Sequence, residues 1–366
     1  MLSLFLSLIV FLAFGVDVVR SARSTCHDVL VRKEWRSLSR IEREDFADAV
    51  KCLANRRNEG NFRQIVYPND IAPYNTTSSI YDDFSYSHMD LNHVIHMTGL
   101  FLPWHRWFLH TFESKLRHTC HYSGALPYWD WTQDAHDFHS SPFFQDSDPK
   151  SGLGGFGRPE HQFRVVDGAF SATSSFAVSY PIPHTLRRNY SSTADMAMVF
   201  SMPGFVWNKT RATNESFTAR VVQSLVDGFI GDYKGFQTAL DGSEGPHLNV
   251  HFAVGGDVAG ACPVEAPPGC IPGPTFAPND PLFFLHHASI DRIWYKWQKK
   301  HKANERAFFG GTVQPLQSVA MYMLYSNGAP PMMTTATMIP TNNLTAPRKI
   351  DNMFDTENEH LCYVYE

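Results

Sequence analysis

Apolar positions recur every three or four residues along several stretches of the chain, and each stretch reads as an amphipathic helix. From Val31 to Asn55 they are Trp35, Leu38, Ile41, Phe46, Ala49, Val50 and Leu53, with Arg56 and Arg57 closing the run. From Trp104 to Leu116 a stripe of Trp104, Phe108, Phe112 and Leu116 predicts a second helix, with His105 at its start. Phe217 to Leu240 is helical again, and His247 to Phe252 continues the pattern after the breaker Gly245-Pro246. Phe284, Ile290, Ile293, Trp294 and Trp297 predict a further helix over Phe283 to Lys299. The segments 133–216 and 258–281 are rich in breakers and read as long loops. The tail 303–366 shows no period and is expected to pack around the helices. The fold expected is mainly α: a four-helix bundle with a site inside, long surrounding loops and few short strands.

Composition adds a compartment. Leu2 to Val16 is largely apolar, and Arg20-Ser21-Ala22 follows as a cleavage candidate, so residues 1–22 read as a secretory signal peptide. Asp17 and Arg20 cut the run short of a membrane span, so no membrane anchor is expected. The remaining 23–366 has no repeat or low-complexity tract, which suits one large domain or two small ones. Six cysteines (Cys26, Cys52, Cys120, Cys262, Cys270, Cys362) fit up to three disulfides, of which only Cys262 with Cys270 is local. Sequons at Asn75, Asn189, Asn208, Asn214 and Asn343 agree with an exported glycoprotein. The net charge is −5 with signs mixed along the chain, so nothing matches a phosphate backbone and no nucleic acid is expected as partner.

The chemistry lies in the histidines. There are 18, and two groups sit inside apolar, aromatic sequence, at 88–105 and 247–287. His247 and His251 are four apart, which on a helix puts both imidazoles on one face. A zinc-protease motif needs Glu directly after the first of such a pair, and Leu248 stands there. His287 is the third candidate of this group, and Asp291 falls one helical turn beyond it, where a carboxylate could orient an imidazole. In the first group His96 and His105 flank Leu100-Phe101-Leu102-Pro103-Trp104, while His88 and His93 both precede them and helical spacing alone favours His93.

The run from His96 to Glu113 resembles the first copper signature of tyrosinases and molluscan haemocyanins, and Asp280 to Asp291 resembles the second. The resemblance continues through Tyr81-Asp82-Asp83-Phe84-Ser85-Tyr86-Ser87-His88, Pro127-Tyr128-Trp129-Asp130-Trp131 and Tyr363-Val364-Tyr365, spanning nearly all of 23–366. It is strongest to short secreted fungal members of the tyrosinase and catechol oxidase family. That family implies two copper ions, one on His88, His96 and His105 and one on His247, His251 and His287, with dioxygen as co-substrate. It selects His88 over His93 and His287 over His286. Phe283 is expected to press on a ligand ring. His110, His118, His121, His136, His139, His161, His184, His286, His301 and His360 match no ligand position and are expected to be solvated or packing residues.

The activity implied is oxidation of o-diphenols, with some monophenols or o-aminophenols, to o-quinones; the rival is a haemocyanin-like oxygen carrier. Two positions depart from many relatives. Val94 stands where some members have a cysteine bonded to an imidazole, so no thioether is expected there. Leu248 stands where many monophenol-hydroxylating relatives have Asn, which predicts weak monophenol activity. Longer relatives carry a carboxy-terminal lid domain; none is expected here, and the enzyme is expected to be active without proteolysis. Oligomeric state is not legible in the sequence.

Overall fold

The computed structural model describes residues 26, 28–196, 202, 204–206, 209–266 and 270–366. The expected leader 1–22 and Asn208 lie outside the described residues. The chain is mainly helical. Strand β1 (Leu30–Arg32) is followed by helices α1 (Arg40–Asn55), α2 (Ile80–Ile95) and α3 (Phe101–Cys120). Next come α4 (Ala219–Asp227), α5 (Tyr233–Asp241), α6 (Pro246–Val254) and α7 (Leu282–Lys300). Strands β2 (Gly311–Val313) and β3 (Ala329–Met332) flank the short α8 (Val319–Leu324), and β4 (Tyr363–Tyr365) ends the order.

Two helix predictions are corrected, and one helix appears that none of them covered. The run predicted from Val31 begins as a helix only at Arg40, where Ser39 and Glu42 cap it reciprocally. Its first residues instead form β1, which pairs in parallel with β4, a partner that no local pattern can reveal. The predicted helix Phe217 to Leu240 is two helices, because Gly228 ends α4, Phe229 turns at φ 57° and Gly231 at φ 71°. Asp232 then caps α5 by accepting the Gly235 amide at 2.9 Å. Helix α2 has no counterpart among the predicted elements. Every residue from Ile80 to Leu91 is buried, so no polar face exists to produce a period.

Helices α2, α3, α6 and α7 surround the site. Between α3 and α7 the core is aromatic: Phe284 stacks on Phe112 at 3.5 Å between ring centroids and on Phe108 at 5.9 Å. Phe84 of α2 meets Phe108 edge-on at 5.3 Å, which joins the third helix. The turn after α2 docks on the strand region through Gly99. A Cβ there would stand 2.9 Å from Gly310 Cα, so only glycine lets the two backbones approach, and the Gly99 amide donates to Gly311 O at 3.2 Å.

The six cysteines form three disulfides, Cys26–Cys362, Cys52–Cys120 and the expected Cys262–Cys270. Asn75, Asn189 and Asn343 are exposed. Asn214 is only partly so, and its Nδ2 donates to Ala135 O at 2.7 Å, which commits the amide that a glycan would need. Among the described residues, no helix is long and apolar enough to cross a membrane.

Candidate metal centre

His88 lies in the middle of α2, His96 caps its C-terminal end and His105 sits in the second turn of α3. His247 and His251 face one way from α6, and His286 and His287 come from the first turns of α7. These side chains fall into two buried groups, His88, His96 and His105 in one and His247, His251, His286 and His287 in the other. Within each group the candidate ligand atoms lie within 4.8 Å of one another. The groups adjoin: the His105 and His287 rings stack at 4.3 Å and 13°.

Hydrogen bonds fix which nitrogen each ring offers. Nδ1 of His88 meets Thr275 O at 2.6 Å, that of His96 meets Asn92 O at 3.3 Å, that of His105 meets Phe101 O at 2.7 Å and that of His251 meets Val258 O at 2.7 Å. A carbonyl accepts only, so each Nδ1 carries the proton and each Nε2 presents a lone pair. The Nε2 atoms of His88, His105 and His247 are buried without a hydrogen-bond partner. His251 Nε2 faces His287 Nε2 at 3.3 Å. Leaving a buried polar atom unsatisfied costs about 1–3 kcal/mol each, and several in one pocket call for an electrophile.

Burial also keeps these rings neutral, which is the ligating form. Desolvation lowers His88 to about 3 and His251 to about 4, and it holds His96, His105, His247 and His287 well below the usual imidazole range. An all-imidazole donor set suits copper, which heads the affinity order for nitrogen ligands among divalent metals. The residues present therefore fit a pair of copper ions.

Other expectations meet the structure differently. His93 is partly exposed and faces Asp70 at 3.8 Å, outside the group that includes His88. Phe283 lies with its ring 4.1 Å from His287 and 5.0 Å from His88. Leu248 is buried in a methionine-rich cluster with Met97, Met196, Met202, Phe252 and Tyr322. Asp291 does not orient an imidazole. Its carboxylate accepts from Arg106 Nε at 2.6 Å and from the hydroxyls of Tyr363 and Tyr365 at 2.5 and 2.6 Å, because two arginines and two tyrosines saturate it on the far side of α7.

His286 is a second correction. It is neither solvated nor ordinary packing: both ring nitrogens are buried without a partner, and the ring lies parallel to His247 at 5.6 Å. Its motif position carries no signal, since the adjacent His287 absorbs the expected role. Asp241 escapes the sequence reading as well. This buried carboxylate ends α5, and its Oδ1 lies 3.0 Å from His247 Nδ1. His184 is likewise no solvated residue, since its Nε2 meets Asp257 Oδ1 at 2.7 Å.

Residues 78–300 match the common central domain of tyrosinase. The tyrosinase-like protein phomQ1 of Diaporthe leptostromiformis is 32% identical over 366 residues, covering 98% of this chain and 82% of that protein. N-acetyl-6-hydroxytryptophan oxidase ivoB of Emericella nidulans is 27% identical, with 99% of each chain covered. Among solved structures, a single-site mutant of polyphenol oxidase from Thermothelomyces thermophila superposes with a TM-score of 0.67 at 25% identity, covering 94% of this chain and 90% of that one. With a family match over more than half its length and the histidines gathered as that family's chemistry requires, the chain belongs to the tyrosinase family of copper oxidoreductases.

Proposed function

We propose that this is a secreted dicopper phenol oxidase that uses dioxygen to convert o-diphenols to o-quinones. His88, His96 and His105 would hold one copper, and His247, His251 and His287 the other. The observation that carries the reading is the buried, unpartnered Nε2 of His88 and His105, whose Nδ1 protons are committed to carbonyls, with His247 Nε2 likewise unpartnered and His251 Nε2 facing His287 Nε2. Bound copper supplies the exchange of electrons with dioxygen. Two diphenols give up four electrons and four protons to one dioxygen, leaving two quinones and two waters.

The chain's own part is placement. Carbonyls of Thr275, Phe101 and Val258 hold the rings in the ligating tautomer. Phe283 fixes the faces of His287 and His88, and the apolar cluster around Leu248 limits water beside His247. Three disulfides suit an oxidising compartment, in keeping with export. The hydroxylated aromatic in the name of the Emericella nidulans relative falls in the same broad substrate class.

The test is metal analysis together with catechol turnover. Copper-loaded protein should hold about two coppers per chain and oxidise catechol, whereas His287→Ala should hold about one and lose turnover. Zinc in place of copper, or dioxygen bound without turnover, overturns the proposal; the second outcome would indicate an oxygen carrier.

A further inference from the structure

Asp241 is an unusual place for a charge. It is the last residue of α5, at the negative end of the helix dipole, it is 1% exposed, and no Lys or Arg among the described residues pairs with it. Each of these three features opposes a carboxylate. Opposing them are the Met97 amide, which donates to Oδ2 at 2.5 Å, and Gln237 Nε2, which donates to the same oxygen at 2.9 Å. Gln237 is itself held by Asn327, whose Nδ2 donates to its Oε1.

The other oxygen points at the metal centre. Oδ1 stands 3.0 Å from His247 Nδ1, off the line of a hydrogen bond, and neither atom has another partner among the described residues. His88, His96, His105 and His251 all spend Nδ1 on backbone carbonyls, so His247 is set apart by facing a carboxylate. Met97 directly follows His96 and sits at φ 51°, a conformation that non-glycine residues adopt rarely and only when held. One carboxylate thus touches the amide beside a ligand of the first group and a ring of the second.

We infer that Asp241 is a positioning residue that fixes His247 as a ligand of the second copper and holds the two histidine groups in register. The inference rests on the dicopper reading above. With His247 Nε2 on the metal, Nδ1–H donates to Oδ1, and a carboxylate acceptor makes the imidazole a stronger donor than a carbonyl does.

Asp241→Asn keeps the shape and removes the charge. Loaded native and variant proteins are titrated with a graded copper chelator, and the copper remaining is measured directly. The variant should surrender one copper at roughly 10- to 100-fold lower chelator than the native protein, the usual effect of losing such a partner, and then plateau at about one copper per chain. Asp291→Asn removes the charge of a buried carboxylate that touches no imidazole, so it should keep both coppers near native affinity. Equal loss in the two variants, or native retention in Asp241→Asn, overturns the inference. A native protein that holds no copper would instead sink the proposed function. Should Asp241→Asn fail to fold, the native copper(I) protein decides: the His247 ring N–H should resonate further downfield than those bonded to carbonyls. A shift equal to theirs counts against a carboxylate partner.

Discussion

Along α3 and α7 two buried polar clusters adjoin: His105 with His287, and Arg106, the next residue on α3, with Asp291, one helical turn further along α7. In the second, Asp291 accepts from Arg106, Tyr363 and Tyr365, while Arg32 Nη2 meets Glu113 Oε2 at 2.8 Å and Glu113 also accepts the Leu126 amide at 2.6 Å. Only Arg106 Nη2 lacks a hydrogen bond, and that guanidinium lies 3.7 Å over the Trp294 ring. In the first cluster His105 Nε2 and His287 Nδ1 stay unpaired. Both clusters are equally dry, so burial alone does not separate them. Completeness does: the ionic cluster satisfies itself and holds helices together, whereas the imidazole cluster is complete only with a guest.

The most forceful way to break that contrast is to unbalance the saturated side. Asp291→Ala leaves Arg106 and Arg32 buried without their shared anion, which should cost about 3–5 kcal/mol of stability. Denaturant unfolding of the metal-free protein measures this. The fraction that still folds should bind copper in native proportion, because no imidazole touches Asp291; a selective loss of one copper would show that the clusters are not independent.

A smaller effect is expected from His110, which lies on α3 one turn beyond Arg106. Its ring stacks on Trp107 at 5.1 Å, and burial lowers it to about 4, with nearby Arg32 acting in the same direction. A base whose folded value lies below its unfolded value of about 6.5 binds fewer protons when folded. Its contribution is therefore full above about 6.5 and drains as pH falls toward about 4. His110→Phe keeps the stacking and should flatten the acid limb of a stability-against-pH curve. An unchanged slope would assign acid sensitivity to other groups.

The smallest effect sharpens the open side. Leu248→Asn should raise monophenol oxidation relative to catechol by roughly tenfold, the lower end of what one pocket side chain alters. Paired rate measurements on a monophenol and its diphenol check it, and an unchanged ratio would mean that the methionine-rich surroundings of Leu248 govern the preference.

The sequence reveals the site better than the frame. His96 and His105 sit in one long, specific run and His287 in another, the helices of His105 and His287 show an apolar stripe, and His247 and His251 offer a four-residue histidine spacing. Helix α2 stays hidden because it is buried all round, and the β1–β4 pair because its strands are far apart in the chain. The partners of the imidazoles are mostly illegible for a different reason. Thr275 and Val258 act through carbonyls that any residue owns, and Asp241 reaches His247 across the turn between α5 and α6, where no helical period links the two. Asp291 misleads because a helical turn fixes spacing, while direction depends on which neighbours bid for the carboxylate.

The pairing of β1 with β4 sets a schedule for synthesis. Arg32 emerges early, yet Tyr365, whose hydroxyl lies 3.1 Å from its Nη1, follows 333 positions later. At roughly 5–20 residues per second, a ribosome needs on the order of 20–60 s to cover that distance. Throughout this interval Arg32 waits without the two tyrosines that finish its shell, joined by Asp291 only for the last part, and β1 has no strand to pair with. The nascent chain thus carries Arg32, fully buried in the folded protein, without its shell until Tyr363 and Tyr365 leave the exit tunnel.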